Sequence, residues 1–135
     1  MRRLALLAAT AIALSFAQSA YADEIDVCVK AAAAADHIKS ADVDRESCVC
    51  ATKELQTTMR PGDFDLHEKM LEIIGSGANE KAFNKQMSDI MLQRGMKQTD
   101  VDAFLARSKK AETAAKTKCD SSPLLDRPIP YQPSL

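Results

Sequence analysis

The chain has no tryptophan, and its two tyrosines stand near its ends, Tyr21 and Tyr131. Sugar-stacking platforms need aromatic faces, so a carbohydrate-binding role has little to stand on. Glycine is also scarce, with four in 135 residues, and none forms a phosphate-cradling loop. There is no G-x-S-x-G nucleophile elbow and no H-E-x-x-H zinc motif. The two histidines, His37 and His67, lie 30 residues apart with no ligand-spaced neighbour. Strict apolar–polar alternation is missing as well, and β-branched residues are sparse, which argues against strands.

One long apolar run is present, at the start. MRRLALLAATAIALSFAQSAYADEID opens with Arg2 and Arg3, continues through an apolar stretch from Leu4 to Ala17, and reaches Ala20-Tyr21-Ala22. A basic start, a short apolar stretch and an A-x-A site together read as a secretory signal peptide of bacterial type. The stretch is shorter than the ~20 residues of an ordinary membrane span. No second such run follows, so no transmembrane segment is expected after cleavage. No cysteine directly follows the cleavage site, where Asp23 stands, which argues against a lipid anchor. Residues 1-22 are thus assigned to the leader, and removing 22 of 135 residues leaves 113, the size of one domain. The expected location is periplasmic or secreted.

Without Arg2 and Arg3 the mature chain holds 16 Lys+Arg against 19 Asp+Glu, a net charge of −3. No basic excess points to nucleic acid. Charge is uneven, though. Residues 23–46 carry seven acids, and residues 107–118 carry Arg107, Lys109, Lys110, Lys116 and Lys118 against the single acid Glu112. Solvated helix faces explain this most simply; a basic patch for an anionic partner is the sharper reading.

The body reads as about five helices in one all-α domain, residues 23-120. The first runs from Glu24 to about His37, with Ile25, Cys28, Val29 and Ala32 on one face. A turn at Lys39–Asp42 leads to a second helix from Asp44 to Met59, capped by Asp42 or Asp44, with a stripe of Cys48, Ala51, Leu55 and Met59. After the break at Arg60-Pro61-Gly62, a short helix from Phe64 to Ile74 takes Asp63 as its cap and buries Leu66, Met70, Leu71 and Ile74. A fourth helix, Asn79 to Arg94, presents Phe83, Met87, Ile90 and Met91, and Gly95 supplies a left-handed cap. The last helix opens at Thr99, read as the first residue of a capping box, and keeps Val101, Phe104, Leu105, Ser108, Ala111, Ala115 and Cys119 on one side. Residues 121-135, SSPLLDRPIPYQPSL from the serine pair onward, hold four of the five prolines. They are expected to be extended, with Leu124, Leu125, Ile129 and Tyr131 as candidates for contact with a partner.

The four cysteines, Cys28, Cys48, Cys50 and Cys119, are an even set in an exported chain and read as two disulfides. A Cys48–Cys50 ring is disfavoured, because residues two apart on a helix point about 200° apart. If the first two helices form a hairpin turning near residue 40, Cys28 lies opposite residue 52. That register favours Cys28–Cys50 with Cys48–Cys119. The alternative, Cys28–Cys48 with Cys50–Cys119, is favoured by the apolar stripe, which includes Cys48. Other chemistries fit less well. A redox enzyme normally shows C-x-x-C in a βαβ setting, and a zinc site normally shows paired C-x-x-C knuckles. Copper on Met87 and Met91 competes with core packing, since Phe83 and Ile90 share their face. Asp63, Asp65 and Glu68 around His67 read as helix-start acids rather than an ion site.

The layout of leader, one cysteine in the first helix, C-x-C opening the second and a last cysteine near the end resembles that of small exported helical proteins of Gram-negative bacteria. It resembles the Tai-type periplasmic immunity proteins in architecture. The expected function is non-catalytic: a protein that binds an unidentified protein partner in the envelope or outside the cell, such as an envelope factor, an immunity-like protein or a secreted effector. No enzyme activity, cofactor or metal is expected. The alternative is a periplasmic copper- or zinc-binding protein using Met87 and Met91 or free thiols.

Overall fold

In the computed structural model the described backbone covers residues 10–119 and 133–135, and the described side chains are those of residues 22–119 and 133–135. These residues form five α-helices, α1 (Thr10–Asp36), α2 (Arg45–Thr58), α3 (Pro61–Gly75), α4 (Glu80–Gln93) and α5 (Gln98–Lys118), with a 3-10 turn at Ser40–Asp42 and no strand.

Helix ends follow local chemistry. Asp44 caps α2, its carboxylate accepting from Glu46 N–H at 3.1 Å and from the Ser47 hydroxyl at 2.7 Å. Asn79 caps α4 by accepting from Ala82 N–H at 2.9 Å. Gly95 ends α4 at φ +70°, and Met96 N–H reaches back to the Met91 carbonyl at 3.1 Å. Two starts differ from expectation. Helix α3 begins at Pro61 rather than Phe64, with Arg60 as its N-cap. Proline is at home in a first turn, where no N–H is needed, so the Asp63 carboxylate is released from capping. Helix α5 starts at Gln98, one residue before Thr99, with Lys97 as its N-cap. The Asp100 carboxylate closes that end by accepting from Lys97 N–H at 2.8 Å. Helix α1 continues N-terminal of Glu24, so its backbone passes through the expected cleavage site unbroken.

The main core gathers Phe64, Met70, Phe83, Met87, Met91, Val101 and Phe104 from α3, α4 and α5, with Leu55 and Met59 from α2. Every residue of the expected stripes on these helices is buried except Ile90 and Leu105, which are half-buried against the core. A satellite cluster under the first turn holds Ile25, Cys28, Val29, Ala32, Ala33, Val43 and Cys48. The most extensive helix pairing is α1 on α3. It rests on small residues: a Cβ on Gly75 would lie 3.1 Å from the Lys30 Cβ and 3.2 Å from the Ala31 nitrogen.

The disulfides are Cys28–Cys48 and Cys50–Cys119, with Cα–Cα distances of 5.8 and 5.9 Å. This is the reverse of the pairing favoured by hairpin register. The link between α1 and α2 is no tight hairpin. It runs through the 3-10 turn and buries Val43, delivering the start of α2 beside Cys28. Cys48 then faces the satellite cluster with no exposure at all, and Cys50, pointing away from it, meets the end of α5. The apolar stripe, not the register count, decides the partner.

Two outcomes test this architecture. The C28S/C48S double variant keeps Cys50–Cys119 and gives no free thiol in denaturant, whereas C28S/C50S strands Cys48 and Cys119 and gives two. In G75L the larger side chain forces α1 off α3 and lowers the unfolding free energy in urea by about 1–3 kcal/mol.

Candidate functional site

Three features stand out against this frame. The first is a cleft of about 620 Å³ where α1 and α3 end. Its walls include Ala34, His37 and Ile38 on one side and Gly75, Gly77 and Asn79 on the other. His37 holds φ +54°, the position after a helix end that glycine usually takes. Ile38 N–H closes the end of α1 by bonding to the Ala33 carbonyl at 3.1 Å. A non-glycine residue in this conformation costs on the order of 1 kcal/mol. It directs the chain so that Ile38 stands 43% exposed on the rim. Ile38 is therefore an apolar side chain on an open cleft, held by a strained cap.

The second feature is a layer of ionisable groups within the helix interfaces. His67 on α3 is buried, and its Nε2 lies 3.1 Å from Glu112 Oε1 on α5. Its Nδ1 has no hydrogen-bond partner among the described residues. Glu68, the next residue, turns toward α1. Burial pushes its carboxyl up to about 7, and repulsion from Glu24, Glu72 and Asp65 adds to this. Glu24 is raised too, by burial and by Asp23 beside it. Asp63 goes the other way. Arg107 donates to it from Nε at 2.7 Å and from Nη2 at 2.9 Å, and holds its carboxyl below the ordinary range. Asp65 pairs with Arg94 on α4. The acids around His67 are thus spread over three helix partners and do not converge. Among the described residues no three His, Cys, Asp or Glu side chains are arranged to hold a metal ion.

The third feature is the pair of disulfides. Both are closed, with no free cysteine, so thiolate nucleophiles and thiol metal ligands do not arise in this state. Met87 and Met91 are wholly buried in the core shared with Phe83 and Phe104, which is the packing role their shared face suggested. Two disulfides point to an oxidising compartment. Among the described residues no helix is long and apolar enough to cross a membrane.

Leu124, Leu125, Ile129 and Tyr131, the candidate contact residues, lie outside the described residues. The chain is described again at residue 133. There Pro133 is buried, and Leu135 N–H donates to Gln98 Oε1 at 3.1 Å, at the start of α5.

Sequence reading missed Glu68 and the Arg107–Asp63 pair. The signal for Glu68 was present, since it falls four residues after Phe64 and three before Leu71, both core residues. A glutamate on that apolar face should have been read as buried. The Arg107–Asp63 contact spans 44 residues, and no local pattern reports it.

The chain matches no protein-family model, no curated protein and no solved structure.

The raised Glu68 carboxyl makes a signed prediction. The folded state holds the Glu68 proton more tightly than the unfolded chain. This contribution is therefore full below the ordinary glutamate range and is lost as pH rises through about 7. Thermal unfolding followed at pH 5 to 8.5 should show stability falling over that window. E68Q should flatten the fall and raise stability at pH 8 by roughly 1–2 kcal/mol. An unchanged pH profile in E68Q would rule out this origin.

Proposed function

We propose that this is a non-catalytic protein, exported to the periplasm or beyond the cell, that works by binding another protein. The observation that carries the reading is Ile38, an exposed apolar side chain on the rim of an open cleft in a domain clamped by two disulfides. A clamped scaffold supports binding because little conformational entropy remains to be lost when a partner docks. An apolar side chain on the rim of a concave surface can serve as an anchor for a partner's side chain. The disulfides and the leader-like N-terminus both support a compartment where thiols are oxidised. An envelope factor, an immunity-like protein or a secreted effector would fit this reading. The C-terminal segment with Leu124, Leu125, Ile129 and Tyr131 is a second contact candidate, anchored at its far end by Leu135 on Gln98.

A photo-crosslinking residue at position 38, installed in exporting cells, should yield a discrete protein adduct. The same residue at position 92 should not, although Leu92 is more exposed at 58%. The captured partner, purified and remixed, should bind the wild-type protein at least tenfold more tightly than I38D, with the melting temperature of I38D unchanged. Absence of any position-specific adduct from residue 38 and from residues 124–131 would contradict the reading.

A further inference from the structure

A second groove, of about 320 Å³, lies where the α2–α3 junction meets α5. Its floor is apolar, made by Met59, Ala111 and Ala114, and its charged lining is Arg60, Arg107 and Lys110 against the single carboxylate of Asp63. That carboxylate is already engaged, since Arg107 grips it with two hydrogen bonds. Arg60 and Lys110 are both exposed, and among the described residues neither stands within ion-pair distance of a carboxylate, although the charge of Arg60 also acts on Asp63. Lys118 differs, because its ammonium is held by Glu54 at 2.8 Å. Of the five bases of the last helix, Arg107 and Lys110 face this groove, over its apolar floor. Helix α3 also opens at this rim with no side-chain cap, which adds the positive end of its dipole.

We propose that this groove docks an acidic segment of a protein partner, seating a carboxylate between Arg60 and Lys110 and an aliphatic side chain on Met59, Ala111 and Ala114. Charge complementarity sets the sign of the ligand, and the floor requires that the charge be accompanied by apolar surface. Inorganic anions satisfy only the first condition, and neutral apolar ligands only the second. The chain as a whole carries no basic excess, so the positive lining of this groove is a local feature that an acidic partner can select. This rests on the protein-binding reading above and names the partner chemistry for a surface distinct from the Ile38 cleft.

The probe is a capped tetrapeptide of alternating glutamate and leucine, titrated into the isotopically labelled exported protein and followed by amide chemical shifts. Saturable shifts should be confined to residues 58–63 and 107–114 and should shrink as salt rises. R60E and K110E should each weaken binding by about fivefold or more, which corresponds to losing one charge contact. K109E, on the same helix but off the groove, should change it by less than about twofold. A114W should block binding by filling the floor while the rest of the spectrum stays folded. The glutamine–leucine peptide should give no saturation. Absence of saturable shifts with wild-type protein would overturn the proposal. So would equal losses in K109E and K110E, or K110E-sensitive binding to phosphatidylglycerol vesicles with none to the peptide. A position-38 adduct together with a silent groove would remove this inference alone, whereas loss of the adduct with the groove active would remove only the role of Ile38.

Discussion

Two cysteines one residue apart can serve one helix in two directions, and the rest of this fold depends on that divergence. Positions two apart on an α-helix point about 200° apart. Cys48 therefore reaches Cys28 on α1 while Cys50 reaches Cys119 at the end of α5. One turn of α2 is pinned on both sides. The closed segments span 20 and 69 residues, so the first and last helices are joined through the second. Each such bond typically contributes about 2–4 kcal/mol, which is large beside the roughly 5–15 kcal/mol that holds a small domain folded. The same arrangement commits every thiol to structure.

With the frame clamped, the interfaces tolerate features that a looser domain would not. The α1–α3 contact is made by Gly75 against Lys30 and Ala31, and the same helix pair carries the Glu68 and Glu24 carboxyls in partial burial. Repulsion between them opposes the packing that the small residues permit. On the other side of α3, Asp63 is satisfied by Arg107, and His67 meets Glu112 through Nε2 alone. Helix α3 is thus tied to α5 by compensated polar contacts and to α1 by close approach against an uncompensated charge. The strained cap at His37 lies at the far end of that same contact, and the exposed Ile38 follows from it.

Much of the fold is legible in the residues. Asp44 and Asn79 as caps, Gly95 as a left-handed stop, and the periodic stripes through Phe83, Met87, Phe104 and Ala115 all announce helices by local rules that tertiary contacts did not override. The failures are equally physical. Pro61 moved the start of α3 because a missing N–H costs nothing in a first turn. Register counting favours the wrong disulfide pairing because it assumes a tight hairpin, whereas the apolar stripe of Cys48 points to the observed one. The two proposed binding surfaces were largely illegible. The cleft joins residues 34–38 to 75–79, and the groove joins residues 58–63 to 107–114; such juxtapositions exist only after folding. The uneven basic charge of the last helix hinted at the second, without showing that Lys118 is neutralised by Glu54 and Lys110 is not.

The central claim is an exported scaffold whose cysteines serve structure and whose surface serves binding. The most direct test is the intact mass, native and denatured, of the protein purified from its own exported compartment. The account predicts a chain beginning at Asp23, four hydrogens lighter than its reduced form, with no native metal adduct. A chain retaining its first 22 residues, a fully reduced mass, or a native adduct the size of copper or zinc would contradict it.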